Sequence, residues 1–373
     1  MKRTAAGWII ILGVFCALTA PAQTGVWSTN IASISSRAFG AAATVGGKVY
    51  LVGGGNYSCG VNSTLQAYDP ATNVWVTLAS MPTPRYEFGA AELNGQLYAI
   101  AGNPGCGSPA SAIRAVEAYD PGSNLWSSKA LLPTGSWGAG VASANGKIYV
   151  IGGFTNYVYC YDPGSNSWSL KAPVPSPFAF GEVAVVNGLI YVIGIGGAGP
   201  QAGVYAYNPV ADSWTVKASM PTARYACAGA AVNGIIYVAG GYNSTGVVAT
   251  VEAYNPALDT WSTVTPLPFR LWAASAAAIN GTLYVMGGLD VNNATLGSVE
   301  AFTPPTSITA IKMYAGLTLS GPVGSTNRID FTASLAATNW TVLTNLVLPA
   351  SPYLFIDTNS PNSATRFYRA VQQ

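Results

Sequence analysis

The sequence contains no histidine. That absence removes the Ser-His-Asp and Cys-His nucleophile systems, along with the imidazole ligands on which many enzymatic metal sites rest. Charge is also scarce. Lys, Arg, Asp and Glu make up 8% of the 373 residues, while 50% are hydrophobic. A disordered chain shows the opposite balance, so the composition points to a folded protein. No glycine-rich phosphate loop follows a strand and opens a helix, which leaves nucleotide binding without support. Long apolar runs are nearly missing too. The one present, residues 7–20, has 14 positions, short of the roughly 20 that a spanning helix needs.

That run reads as the core of a secretory signal peptide. Lys2 and Arg3 precede it and Ala20-Pro21-Ala22 supplies a small-x-small cleavage site. Cys16 lies inside the run behind Val14-Phe15, a poor context for lipid attachment. Residues 1–22 are therefore expected to be removed. The mature chain would be secreted, periplasmic or held at the cell surface, with no integral membrane segment. Without Lys2 and Arg3, basic and acidic residues balance at 14 each. A net charge near zero gives no long-range pull toward nucleic acid or anionic lipid, and neither is expected as a partner.

What the sequence does hold is one hairpin, many times over. Asn145-Gly146-Lys147-Ile148-Tyr149-Val150-Ile151-Gly152-Gly153 opens with Asn-Gly, the strongest short signal for a two-residue turn, since both central residues need positive φ. A strand-like apolar run follows and a glycine pair ends it. Six tyrosines share the Tyr149 position: Tyr50, Tyr98, Tyr149, Tyr191, Tyr237 and Tyr284. Six tryptophans keep step: Trp27, Trp75, Trp126, Trp168, Trp214 and Trp261, each 23 residues before the next Tyr. The return gap varies between 19 and 28, so the loop after the glycine pair absorbs all length variation. The first unit reads as four strands over residues 39–45, 48–54, 64–68 and 74–78. Four short strands recurring every 42–51 residues predict a β-propeller.

The glycine pair Gly53-Gly54, the turn Tyr68-Asp69-Pro70, Trp75 and Met81-Pro82-Thr83-Pro84-Arg85 together resemble the kelch repeat. The expected fold is thus all-β: a six-bladed kelch propeller over 23–305 and a small C-terminal β-module over 306–373. Blade 6 has three strands before Pro304-Pro305 and no Trp strand of its own. The unpartnered Val26-Trp27-Ser28 is expected to complete it and close the ring, removing an exposed sheet edge. In the last 68 residues, alternation over 328–333 and 340–348 suggests further short strands. This part is similar to short C-terminal modules on exported bacterial proteins.

Several residues are candidates for binding. Arg37, Arg85, Arg224 and Arg270 fall between a Trp strand and the next inner strand, at one mouth of the ring. They could clamp an anion or pair within their own blades. Comparison of repeats favours pairing, because Gln66, Glu117, Glu252 and Glu300 occupy the third-strand position of those blades. Blades 3 and 4 carry Ser136 and Phe178 instead, with Tyr159 and Tyr205 opposite. Beside this column stand four aromatics, Tyr86, Trp137, Tyr225 and Trp272. With Arg85, Arg224 and Arg270 they form the expected ligand-binding mouth, for a protein or a glycan. Glu87, Glu92 and Glu182 lie near inner strands and are expected to be solvated channel residues.

Cys59 and Cys106 fall in the variable loops of adjacent blades, and export favours a disulfide between them. Cys160 and Cys227 read as small buried hydrophobes. No catalytic motif, cofactor or metal set is apparent. Galactose oxidase shares the kelch-type propeller, but its copper site needs histidines that this chain lacks. The functional expectation is an exported binding scaffold. The alternative is a carbohydrate-active enzyme similar to the exported kelch-fold sialic acid mutarotases.

Overall fold

The computed structural model describes residues 25–58, 60–105, 112–195 and 199–304, together with five strands of the C-terminal region. The chain divides into two compact units, one spanning Gln23–Pro305 and the other containing Thr306–Gln373. No helix among the described residues is long and apolar enough to cross a membrane.

The first unit consists of six four-stranded antiparallel sheets and a short two-stranded ribbon. Blade 3 shows the local logic. Gly140–Ala144 turns into Lys147–Ile151 through Asn145 (φ 52°) and Gly146 (φ 71°), a two-residue connection that sets Ala144 opposite Lys147. Val158–Asp162 and Ser167–Leu170 follow as third and fourth strands. The innermost strand of each blade packs against its counterpart in both neighbouring blades, and the cycle closes between blades 6 and 1. Between each adjacent pair of blades lies one apolar cluster, six in all. The core is therefore a set of wedges around an axis rather than one central mass.

Blade 6 takes its fourth strand from the other end of the unit. Val26–Ser28 runs antiparallel to Val299–Thr303, with Trp27 opposite Phe302. The Trp27 ring lies 5.0 Å from that of Phe302. The five other column tryptophans pack on a third-strand Tyr at 4.9–5.3 Å. Each column indole also donates from Nε1, at 2.8–3.0 Å, to a backbone carbonyl in the segment leading out of the preceding blade. These rings are half-buried, because they belong to the outermost strand.

A second fastening accompanies the indoles. In blades 1 to 5 the third-strand Tyr hydroxyl donates to an Asn or Asp of the following turn, as Tyr119 does to Asn124 Oδ1 at 2.8 Å. The same oxygen accepts from the backbone N–H whose carbonyl the indole caps. Ala79 thus donates to Asn124 and accepts from Trp126. Both polar groups of one linker residue are satisfied by the next blade, which ties neighbouring sheets where no ladder connects them.

The glycine pair follows from close approach. At Gly54 (φ 90°) a Cβ would lie 2.6 Å from the Ala38 carbonyl oxygen, and at Gly53 (φ 59°) 2.7 Å from the Phe88 ring. Gly54 N–H donates to the Arg85 carbonyl of the next blade at 3.0 Å. A side chain would push these backbones apart.

In the second unit, Ala315–Leu319 pairs with Tyr353–Asp357, and Thr326–Thr332 lies between Thr341–Val347 and Phe367–Gln372.

Candidate aromatic mouth

One residue from each blade, just ahead of the innermost strand, adopts a left-handed backbone: Phe39, Glu87, Gly138, Phe180, Ala226 and Ala273, with φ between 48° and 64°. Each N–H donates to the carbonyl of the equivalent residue in the preceding blade at 2.7–2.9 Å, and Phe39 donates to Ala273. The six peptide groups form a closed ring of hydrogen bonds around the axis. Five of the six are not glycine, and such conformations persist only where the surroundings hold them.

This ring supports a pocket of about 290 Å³. All four predicted mouth aromatics line it, Tyr86, Trp137, Tyr225 and Trp272, joined by Phe39, Tyr57 and Phe180. Their rings contact edge to face. Phe39 meets Trp272 at 5.5 Å and Tyr86 at 6.0 Å, and Trp137 meets Phe180 at 5.5 Å. Trp272 and Tyr86 are largely covered, whereas Tyr57 remains 56% exposed. Tyr57 comes from the variable loop after Gly53-Gly54, so the loop that absorbs length variation also contributes a wall. Phe39 and Phe180 were not identified from sequence. Their signal was position, two residues after the Arg column, at the place that joins the ring.

The arginines do not line the pocket. Arg85 and Arg224 are fully buried, held at 2.9 Å to Glu117 and 2.7 Å to Glu252. Arg224 Nη2 also donates to the Val238 carbonyl at 2.9 Å, and Arg85 Nη2 to that of Ala99 at 3.0 Å. Thr83 and Thr222 hydroxyls cap the other carboxylate oxygens at 2.7 Å. Burial pulls the Arg85 guanidinium down to about 10, with Glu117 opposing the change, so it keeps its charge at neutral pH. Arg37 bonds to Gln66 Oε1 and to the Thr64 carbonyl. A mouth assignment therefore fails for Arg85 and Arg224, because each guanidinium is spent inside its own blade.

Arg270 fails differently. It is exposed, and the column position in blade 6 belongs to Leu271, 1% exposed. Backbone bonds fix the register: Gly241 N–H donates to the Leu271 carbonyl as Gly54 does to that of Arg85. Glu300 is thus left without a guanidinium. It is 3% exposed, its Oε2 has no hydrogen-bond partner, and burial raises its carboxyl above the ordinary range.

The other carboxylates also depart from a solvated channel. Glu87 lines the aromatic pocket. Burial pushes its carboxyl up to about 7, and its Oε2 is buried without a hydrogen-bond partner. Glu182 lies at the start of an inner strand, where burial raises it to about 8 against the pull of the Val183 and Gly229 amides. Glu92 Oε1 accepts from the Gly95 N–H in a hairpin turn at 2.7 Å. Cys160 and Cys227 are buried free thiols. Cys59 and Cys106 lie outside the described residues.

Six four-stranded blades, ring closure by the first strand and glycine pairs at the blade junctions define a kelch-type β-propeller. The family model described as "Kelch motif" matches residues 36–82, 84–130, 138–175, 177–221, 223–268 and 273–307, and the chain belongs to this family. An F-box/kelch-repeat protein of Arabidopsis thaliana is 36% identical over 119 residues, covering 30% of each chain. Kelch-like protein 25 of Homo sapiens is 37% identical over 117 residues, or 30% of this chain and 20% of the relative. The match thus spans less than a third of either relative's length. The solved structure of YjhT aligns with a TM-score of 0.63 and 18% identity over 72% of this chain and 95% of that one, a likeness of fold alone.

Proposed function

We propose that this chain is an exported kelch scaffold that binds a protein or glycan ligand at its aromatic mouth. Kelch propellers are commonly protein-binding scaffolds. The observation that carries the reading is the pocket on the hydrogen-bonded ring, walled by seven aromatic side chains. Exposed apolar concavities of this kind are costly in a soluble protein and belong to binding surfaces. Export through residues 1–22 and a Cys59–Cys106 staple between neighbouring loops accompany this proposal. Arrays of glycans and of exported-protein peptides, probed with wild type and Tyr57→Ala, test it. Tyr57 is exposed, so its truncation should leave the fold intact while weakening a mouth ligand. A ligand held equally by both proteins would place recognition elsewhere.

A second reading has one observation in its favour. A carboxyl near pH 7 in a pocket suits general acid–base work on a sugar, as an anomer-interconverting enzyme would require. Glu87 meets that description. Following the anomers of sialic acid by proton NMR, with wild type and Glu87→Gln, checks it. Interconversion at the uncatalysed rate with both proteins ends this reading.

A further inference from the structure

We infer that the aromatic mouth selects an organic ammonium group, which Glu87 and the surrounding ring faces would hold together. This rests on the mouth being the binding surface and names the chemistry it takes.

The pocket floor has no free backbone donor. Every N–H in the six-residue ring donates to the next carbonyl around the axis. The floor therefore has no spare backbone donor for a carboxylate or phosphate, unlike most anion sites. Among the described residues the walls contain no lysine or arginine. Arg85, the nearest cation in sequence to Glu87, is buried and committed to Glu117 and to a backbone carbonyl. An anion entering this site would meet a carboxyl and no positive charge.

The walls suit a cation. Aromatic faces carry negative potential and attract ammonium groups, most strongly where water is excluded. Seven aromatic side chains contribute, and among the described residues Glu87 is the only acidic one on the walls. Its buried Oε2 has no hydrogen-bond partner, so one acceptor of this wall residue stands unspent. An ammonium would supply the missing donor or countercharge. The volume of about 290 Å³ accommodates a trimethylammonium head or the end of a lysine side chain.

Titration provides an internal check. The remaining titratable groups on the walls are the phenols of Tyr57, Tyr86 and Tyr225. Burial raises those of Tyr86 and Tyr225 further from neutrality, with Glu87 itself adding to the effect at Tyr86. Glu87 is pushed up to about 7 by burial in the free protein. A bound cation favours the carboxylate, so binding at pH 7 should release a fraction of a proton. Affinity should then weaken as pH falls through 7. A neutral sugar has no reason to do either.

The experiment is a calorimetric titration at pH 8 with choline, its uncharged carbon isostere dimethylbutanol, tetramethylammonium and N-acetyl-lysine amide. Repetition at pH 7 in two buffers of different ionisation enthalpy reads the proton release. Choline should bind on the order of tenfold more tightly than the isostere. Glu87→Gln should remove most of that preference and all of the proton release. Tyr57→Ala, at an exposed wall, should weaken all three cations without moving the melting temperature. A tighter N-acetyl-lysine amide would identify a protein-borne ammonium as the source, and a tighter choline a free solute. Equal binding of choline and dimethylbutanol would overturn the inference, as would no binding by any ammonium probe. If the arrays still yield ligands sensitive to Tyr57→Ala, only the ammonium assignment falls. Array ligands indifferent to Tyr57→Ala would instead sink the mouth reading itself.

Discussion

Blades 5 and 6 share a backbone frame and differ at the buried column position ahead of the inner strand. In blade 5, Arg224 fills the column and pairs with Glu252 at 2.7 Å. In blade 6, Leu271 fills it and leaves Glu300 alone beneath. Blade 4 solves the same place with Phe178 and Tyr205 in one apolar cluster. Blade 3 uses Ser136 and Tyr159, the latter within 3.1 Å of the Thr134 hydroxyl. The propeller therefore tolerates a paired charge, an apolar pair, a neutral polar pair or an isolated carboxyl at equivalent sites. The constant parts are the outer indole and the central ring. Those devices, rather than the ion pairs, are what the six blades have in common.

The largest test removes a shared device. Deleting residues 23–35 takes away Val26–Ser28, and with it the fourth strand of blade 6 and the Trp27 contacts. Loss of the indole alone should cost about 3–5 kcal/mol, and the exposed edge adds to it. Urea denaturation of the shortened protein should show at least that loss; unchanged unfolding would mean that strand closure is dispensable.

Next comes conversion of blade 5 toward blade 6. Arg224→Leu leaves Glu252 buried and unpaired, which should destabilise by about 3–5 kcal/mol. Adding Glu252→Gln to that variant should recover a large part, since the isolated charge causes the penalty. A double variant no more stable than the single one would locate the cost in lost packing of the guanidinium.

The reverse experiment relieves blade 6. Glu300 has its carboxyl raised in the folded state by burial, so the unfolded chain ionises first. Wild-type stability contributed at this site is complete below the ordinary carboxyl range. It is lost as pH rises through the raised folded value. Glu300→Gln should therefore match wild type near pH 3.5 and exceed it at pH 8 by on the order of 1 kcal/mol. Melting curves at the two pH values measure the difference, and parallel curves would show that Glu300 is not strained by its isolation.

The smallest change touches a fastening that blades 1 to 5 share. Tyr119→Phe deletes the hydroxyl that donates to Asn124 at 2.8 Å while leaving the ring against Trp126. A loss of about 1 kcal/mol is expected in urea denaturation. No loss would reassign the fastening to the indole alone.

The repeat frame was legible because its signals are local and recur in phase. Asn-Gly fixes five of the hairpins and Gly46-Gly47 the first, and the constant spacing from Trp to Tyr fixes the unit. The aromatic mouth was legible from Tyr86, Trp137, Tyr225 and Trp272, which stand out from the tryptophan and tyrosine columns. Arg270 misled because it sits one residue short of the column. Counting four residues from Leu267, which stands where Met81 and Met220 do, reaches Leu271. Glu87 was not legible as a wall residue. Its place depends on a left-handed backbone that a non-glycine residue does not advertise, and on a hydrogen bond to a neighbouring blade more than forty residues away.

The ring of six hydrogen bonds has a bearing on how much a ligand must spend on entering. Binding surfaces made of loops usually lose conformational entropy when they close on a guest. Here Phe39, Glu87 and Phe180 hang directly from a hoop whose every link is already made, and no blade can swing outward without breaking two of them. The mouth can meet its guest as a rigid die meets a blank, so that affinity would reflect contact and charge with little deducted for ordering the protein.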